Sequence, residues 1–298
     1  MALESYADLY LETIKADTIM VYALKNVYKA YANNKLEAQD LTIRSAMGGD
    51  LGTEKNKLFL YAQRVNLMGK NIYAYSGNSM LVDLILAMEK LDLTVNGDLN
   101  YIDNGNALAG IFANTMKLNV TGSIGQNPEK PVSSGSQVLF AAPRAPQKGM
   151  MINVDDAVYI SAKDACLTSA KTMIVGSIRT SGDLTINSDG AIHMLDSASS
   201  IYCNSINANA YGYAGTDEMP LKVYARSKSS ANSYLYGECL LVIPIVDETN
   251  GNEQVPVVRL SGGIAPGAVV TVNTKPAHID CDSCEYLLMH ALQDVLRG

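Results

Sequence analysis

From about residue 39 onward, apolar residues come in pairs separated by one polar position, the alternation of a strand with one buried face. Leu41/Ile43 is the first pair, and Leu58/Leu60, Val65/Leu67 and Ile72/Ala74 follow at intervals of about seven residues. The most regular array runs through Ile152/Val154, Val158/Ile160, Ala165/Leu167, Met173/Val175, Ile178/Thr180, Leu184/Ile186, Ile192/Met194, Ile201/Cys203 and Ile206/Ala208. Three such faces close a rung of about 20 residues, within the range of stacked repeat architectures. The pattern predicts a mainly β protein built on a short-rung β-solenoid (β-helix), triangular in section.

Its corners are written in a recurring tripeptide of Gly, then Asp or Ser, then Leu or Ile. The copies are Gly49-Asp50-Leu51, Gly97-Asp98-Leu99, Gly122-Ser123-Ile124, Gly176-Ser177-Ile178 and Gly182-Asp183-Leu184. Glycine tolerates tight turns, and Asp or Ser bonds nearby backbone there. Two longer stretches, Asp92 to Leu99 (DLTVNGDL) and Lys117 to Ile124 (KLNVTGSI), match position by position.

The flanks read differently. Leu3, Tyr6, Tyr10 and Ile14, and then Met20, Leu24, Val27 and Tyr31 behind an Asp17-Thr18 cap, fall on helical stripes, so 1–36 is expected to be helical. The first solenoid section is placed at 37–126, with an inserted helix over 79–91 (SMLVDLILAMEKL) capped by Ser79. Residues 127–149 hold Pro128, Pro131, Pro143 and Pro146 and read as an excursion before a second section at 150–210. In 211–298 longer strand candidates (221–225, 234–246, 255–260 and 268–272) and an Asn250-Gly251 hairpin signal predict a small antiparallel β unit. A helix capped by Ser283, with a stripe of Leu287, Leu288, Ala291 and Val295, is expected to end it.

Composition narrows the function. Of 298 residues 48% are hydrophobic and only 18% charged, against about 25% in an ordinary soluble domain, so few like charges keep copies apart. A net charge of −7 without a Lys/Arg cluster argues against nucleic acid as a partner. No run approaches the ~18 apolar residues of a membrane span. Met1 to Ser5 lacks a secretory leader, and the odd number of cysteines gives no disulfide framework, so a cytoplasmic or virion location is expected.

Candidate chemistry is sparse. His278, Cys281, Cys284 and His290 have two-residue separations that could converge on a metal, although the spacing is not a usual zinc-finger pattern. Asp155, Asp156, Asp183, Asp189 and Asp196 could pair for glycoside hydrolysis, but Asp at a turn ordinarily bonds its own backbone. Alternation turns His193 outward, where a lone histidine is an ordinary surface residue. Seventeen tyrosines and no tryptophan supply stacking platforms or interface area. There is no Walker loop, dinucleotide fingerprint, G-x-S-x-G elbow or H-E-x-x-H. The chain is therefore expected to be neither an enzyme of a familiar motif class nor a cofactor binder.

The segment from Met150 to Ala208, with its apolar pairs and Gly-Ser-Ile or Gly-Asp-Leu corners, resembles the bactofilin family of polymer-forming cytoskeletal proteins. The resemblance implies nucleotide-independent, end-to-end filament assembly. The chain departs from that family in its N-terminal region, central insertions and C-terminal unit. The expected function is a self-assembling structural protein forming a filament, tube or virus-particle lattice, its partners copies of itself and other assembly proteins. Tyr6, Tyr10, Ile14, Met20, Leu24, Val27 and Tyr31 are the candidate self-association residues. The alternatives are a phage-type fibre or spike binding carbohydrate and a solenoid carbohydrate-active enzyme.

Overall fold

The computed structural model describes residues 1–101, 110–125, 150–211, 213–216, 218–225, 241–242, 259–264 and 270–275. These residues form a β-solenoid of about nine turns in all, with no helix among them. The chain divides into two compact units, Met1–Val154 with Ile160–Thr168, and Asp155–Tyr159 with Ser169–Gly298.

In the first unit the strands are β1 (Ala2–Ser5), β2 (Leu9–Leu11), β3 (Ile14–Lys15), β4 (Thr18–Ala23), β5 (Val27–Lys29), β6 (Leu36–Ser45), β7 (Leu58–Ser76), β8 (Met80–Val95), β9 (Leu99–Tyr101), β10 (Gly110–Val120), most of β11 (Met150–Ala162) and β12 (Ala165–Ser169). Each pairs in parallel with a strand one turn on: β1 with β4, β4 with β6, β6 with β7, β7 with β8 and β8 with β10. Parallel pairing in register lines identical chemistry into columns. Leu3, Val21, Ile43, Leu67, Ile85 and Ile111 form one apolar column. Leu9, Val27, Leu51, Ile72, Leu91 and Met116 form a second, and Ile14, Leu36 and Leu60 belong to a third. Beyond the first turn every member is buried, which removes both its side chain and its strand face from water.

The corner tripeptides do what their residue types require. Asp50 and Asp98 precede Leu51 and Leu99, which are fully buried. A Cβ on Gly49 would overlap the Lys25 carbonyl of the preceding turn, and one on Gly122 would overlap Asp98. Glycine is needed at these corners because the neighbouring turn lies too close for any side chain. The corner polar groups then bond turn to turn. Asp8 Oδ1 accepts from Asn26 Nδ2 at 2.9 Å, Asn26 Oδ1 from the Asp50 amide at 2.8 Å, and Asp50 Oδ1 from Asn71 Nδ2 at 2.9 Å. A similar ladder links Ser79, Asp98 and Ser123 through the amides of the latter two, and Ser123 Oγ reaches Asp164 Oδ2 at 3.4 Å. The two matching octads lie one over the other: Lys117 to Val120 pair with Asp92 to Val95, and Ile124 bridges Leu99.

The second unit holds β13 (Met173–Thr180), β14 (Asp183–Ser188), β15 (Ile192–Met194), β16 (Ser200–Cys203), β17 (Ser205–Tyr211), β18 (Leu221–Ala225), β19 (Leu241–Val242), β20 (Arg259–Ile264) and β21 (Val270–Lys275). Here β13 pairs with β15 and β16, β14 with β17, and β16 with β18, all in parallel. Every member of the nine regular pairs from Ile152 to Ala208 is buried.

Three expectations are corrected. The N-terminal stretch is β1 to β5 rather than helix: Ile19, Val21 and Ala23 point inward on β4 and Met20 and Tyr22 outward, so the apparent helical stripe mixed residues of opposite faces. The 79–91 segment is β8, whose register with β7 shifts between Val65 and Asn66 and again between Gly69 and Asn71. These bulges space the buried Val82, Ile85, Ala87 and Leu91 by three, two and four residues, which imitates a helix. Among the described residues of 211–298, β18 pairs with β20 and β17 with β21 in parallel, continuing the solenoid. Only the short β19 runs antiparallel, to β20.

The Pro-rich stretch, the Asn250-Gly251 turn and the terminal helix lie outside the described residues. The residues on either side of the Pro-rich stretch are described, and Ile124 bridges Ala165 while Met150 pairs with Leu167.

Candidate functional site

Two features of the first unit stand apart from ordinary solenoid surface. The first is the turn made by β1, β2 and β3. Among the described residues Leu3, Leu9 and Ile14 have column partners on one side only, and they are half-buried where those partners, Val21, Val27 and Leu36, are buried. Backbone bonds from this turn run to the second, as Met20 N–H to Met1 O, Leu24 N–H to Ser5 O and Ile14 N–H to Lys35 O. Among the described residues nothing pairs with its opposite edge. Tyr6 is 86% exposed, and Tyr10 is 61% exposed while its ring rests against Tyr28 at 5.5 Å between centroids.

The candidate self-association residues therefore fall into separate places. Tyr6, Tyr10 and Ile14 lie on this end turn. Met20 and Tyr31 are exposed on the second turn, with Leu24 half-buried at its corner. Val27 is fully buried in the second apolar column and presents nothing to a partner.

The second feature is a groove of about 340 Å³ on the outer face of β6, β7 and β8, lined by Asp40, Thr42, Arg64, Asn66 and Asp83 above Leu41 and Val65. Register places Asp40 beside Arg64 and Thr42 beside Asn66. Arg64 Nε forms an ion pair with Asp40 Oδ1 at 2.7 Å, and Asn66 Nδ2 donates to Asp83 Oδ2 at 3.2 Å. Asp83 faces the groove because the β8 bulge makes both it and Leu84 outward-facing. Asn66 Oδ1 is shielded from solvent and has no hydrogen-bond partner. The variable turn length hid this set in the sequence, and reading β8 as helix removed Asp83 from the face it shares.

Three of the five acids weighed in the sequence have side-chain partners. Asp155 pairs with Lys171, Asp183 Oδ1 accepts from Ser205 Oγ at 2.6 Å, and Asp196 accepts from Ser199 and Ala198 within its own turn. The Ser199 bonds hold the Asp196 carboxyl below its ordinary value. His193 is half-buried with its ring edge-on to Tyr213 at 4.7 Å, and burial lowers its pKa. Arg179, Tyr202 and Tyr224 stand in register on one outer column, the two rings stacked at 4.8 Å with the guanidinium over Tyr202.

His278, Cys281, Cys284 and His290 lie outside the described residues. Among the described residues no His/Cys/Asp/Glu group is placed to hold a metal, and no helix is long and apolar enough to cross a membrane. Cys166 and Cys203 are buried in the core. Comparison with protein-family models, curated proteins and solved structures finds no match.

Proposed function

We propose that this chain is a self-assembling structural protein whose copies join through the turn built from β1, β2 and β3, giving a filament, tube or particle lattice. The observation that supports the reading is the end of the three apolar columns at half-buried Leu3, Leu9 and Ile14, beside a strand edge that no described residue pairs. Stacked repeats need polar terminal caps to remain separate, and an open strand edge is a template for another chain. A second copy placed there buries the column ends and pairs the outward N–H and C=O groups of Ala2 and Glu4 at once. The low charged fraction of 18% leaves little repulsion to oppose that approach.

Sedimentation over a wide concentration range, with electron microscopy of the same samples, tests this. The wild type should form concentration-dependent polymers, and Leu9→Lys with Ile14→Lys should leave a folded monomer. A wild type that stays monomeric at every concentration, or a double variant that assembles as well as the wild type, refutes the proposal.

A further inference from the structure

We propose that the outer face of β4, β6, β7 and β8 docks on the same face of a second copy of this chain, with the two solenoids running in opposite directions. The contact is separate from the end turn and does not depend on it. A strand with one buried face ordinarily turns polar residues outward. Here Met20 and Tyr22 point outward on β4, Met68 on β7, and Leu84, Leu86 and Met88 on β8. Met20, Tyr22 and Met88 are 41%, 38% and 43% exposed. Parallel register gathers these strands into two outer columns, Met20, Thr42, Asn66 and Leu84 in one and Tyr22, Arg44, Met68 and Leu86 in the other. Contiguous apolar surface left exposed marks an interaction face, and methionine adapts its shape to what it meets.

Charge identifies the occupant. Between the apolar residues of β4 and those of β8, Asp40 on β6 and Arg64 on β7 form an ion pair at 2.7 Å, with side chains 43% and 56% exposed. At the other end of the same face, Lys70 pairs with Glu89 at 3.3 Å. A two-fold axis along the strands, between β6 and β7, lays β6 on β7 of the second copy and β4 on its β8. Asp40 then faces Arg64 of the second copy and Arg64 faces its Asp40, while Met20 and Tyr22 face Leu84 and Leu86. The pairing is reciprocal, as a two-fold contact requires. Turning the second copy so that both solenoids run the same way reverses its strands and sets Arg64 over Lys70, two like charges. Opposite directions are therefore selected. The groove of about 340 Å³ lined by Asp40 and Arg64 lies on the axis, which gives the second copy's guanidinium room to enter. Four strands about 4.8 Å apart, each presenting about seven residues at about 3.3 Å per residue, offer about 450 Å² per copy, so the pair buries about 900 Å². Contacts of that size are transient, so chains with blocked end turns still sediment as monomers and chemical trapping reads the contact.

Cross-linking of the purified full chain tests this. Tyr22→Cys and Leu86→Cys chains are mixed in equal amounts, treated with a short bis-maleimide and mapped by peptide mass spectrometry. A link between positions 22 and 86 is expected, and it joins two chains because each chain carries only one of the changes. Same-direction copies would instead link 22 to 22. Asp40→Arg added to both chains, or Arg64→Asp added to both, should cut the yield by about tenfold. Asp40→Arg on one chain and Arg64→Asp on the other should restore it, because each new charge meets its opposite only across the contact. An ion pair that served one chain alone gives no such rescue. The yield should be the same with and without Leu9→Lys and Ile14→Lys, which separates this contact from end-turn association; if those lysines disturb the wild-type circular dichroism, the chain without them decides. Absence of the 22–86 link, 22–22 links at equal yield, or no rescue on mixing the oppositely charged chains overturns the proposal. A face covered by another stretch of the same chain, or kept for an unrelated partner, gives the first of these results.

Discussion

Asp50 sits in the middle of a corner ladder, and replacing it tests whether these ladders hold successive turns together. Its Oδ1 accepts from the Asn71 side chain at 2.9 Å and from the Asn71 amide at 3.3 Å, while its own amide donates to Asn26 Oδ1 at 2.8 Å. Asp50→Ala removes the two accepted bonds and leaves the Asn71 donors facing a methyl group. Bonds to a charged acceptor contribute about 1.5–3 kcal/mol each, and because this corner is half-buried the lower values apply. The summed loss is about 3 kcal/mol. For a unit of this size that corresponds to a fall of about 6–12 °C in melting temperature. Asp50→Asn keeps an oxygen in the same place and should lose under about 1 kcal/mol. Since each turn contacts only its neighbours, amide exchange should quicken at Leu51 and Tyr73, which bond across this corner, and stay unchanged at Ile206 and Leu221. Thermal melts with hydrogen-exchange mass spectrometry read both effects. An Ala variant that melts within about 1 °C of the wild type, or an Asn variant as damaged as the Ala one, refutes the reasoning.

Two further outcomes concern groups shifted by burial. The pKa of His193 is lowered in the folded state, so the unfolded chain binds more protons around its ordinary value of about 6.5 and stability falls as pH drops through that value. Urea midpoints at about pH 5 and about pH 7.5 should show a smaller acid loss in His193→Gln than in the wild type, and an equal or larger loss contradicts the assignment. Burial pushes the Cys166 thiol up to about 11, so iodoacetamide at about pH 8 should label it only when the chain is unfolded. Rapid native labelling of the Cys166 peptide by mass spectrometry would show that the core opens there.

What the sequence made legible is what a parallel stack repeats. Ile178/Thr180 over Ile201/Cys203 and Leu184/Ile186 over Ile206/Ala208 are strict alternations on unbulged strands, so each pair could be read without knowing its neighbours. The Gly-Asp/Ser-Leu/Ile corners were legible for the same reason: the glycine, the bonding side chain and the buried residue each answer a local demand. Alternation failed where local geometry left it. On β8 the two bulges leave two successive residues outward at Asp83 and Leu84 and three at Met88 to Lys90, and the remaining apolar spacing is that of a helix. On β4 the outward Met20 and Tyr22 are as apolar as the inward Ile19 and Val21, so hydrophobicity alone could not tell the faces apart. The groove was illegible because it is a property of register. Asp40, Arg64 and Asp83 become neighbours only once the unequal lengths of three turns are known.

The same ladder logic bears on why the end turn should attract a copy. In an interior turn the corner residue works in both directions: Asp50 gives its amide to Asn26 and accepts from Asn71. Asp8 works in one. It accepts from the Asn26 amide and side chain, but no described side chain accepts from its own amide. Among the described residues nothing completes the corner, the strand edge or the three apolar columns on this turn, and in the proposed assembly one incoming turn of like construction would complete all of them together. An unrelated partner could cover the apolar ends, but it would have to match the strand edge and the corner separately. Leu9→Lys and Asp8→Pro should therefore weaken association by different routes, the first by charging a column end and the second by removing the corner amide that no described side chain accepts from. If assembly were only hydrophobic clustering, Asp8→Pro would leave it unchanged, and sedimentation of that single variant distinguishes templated stacking from mere adhesion.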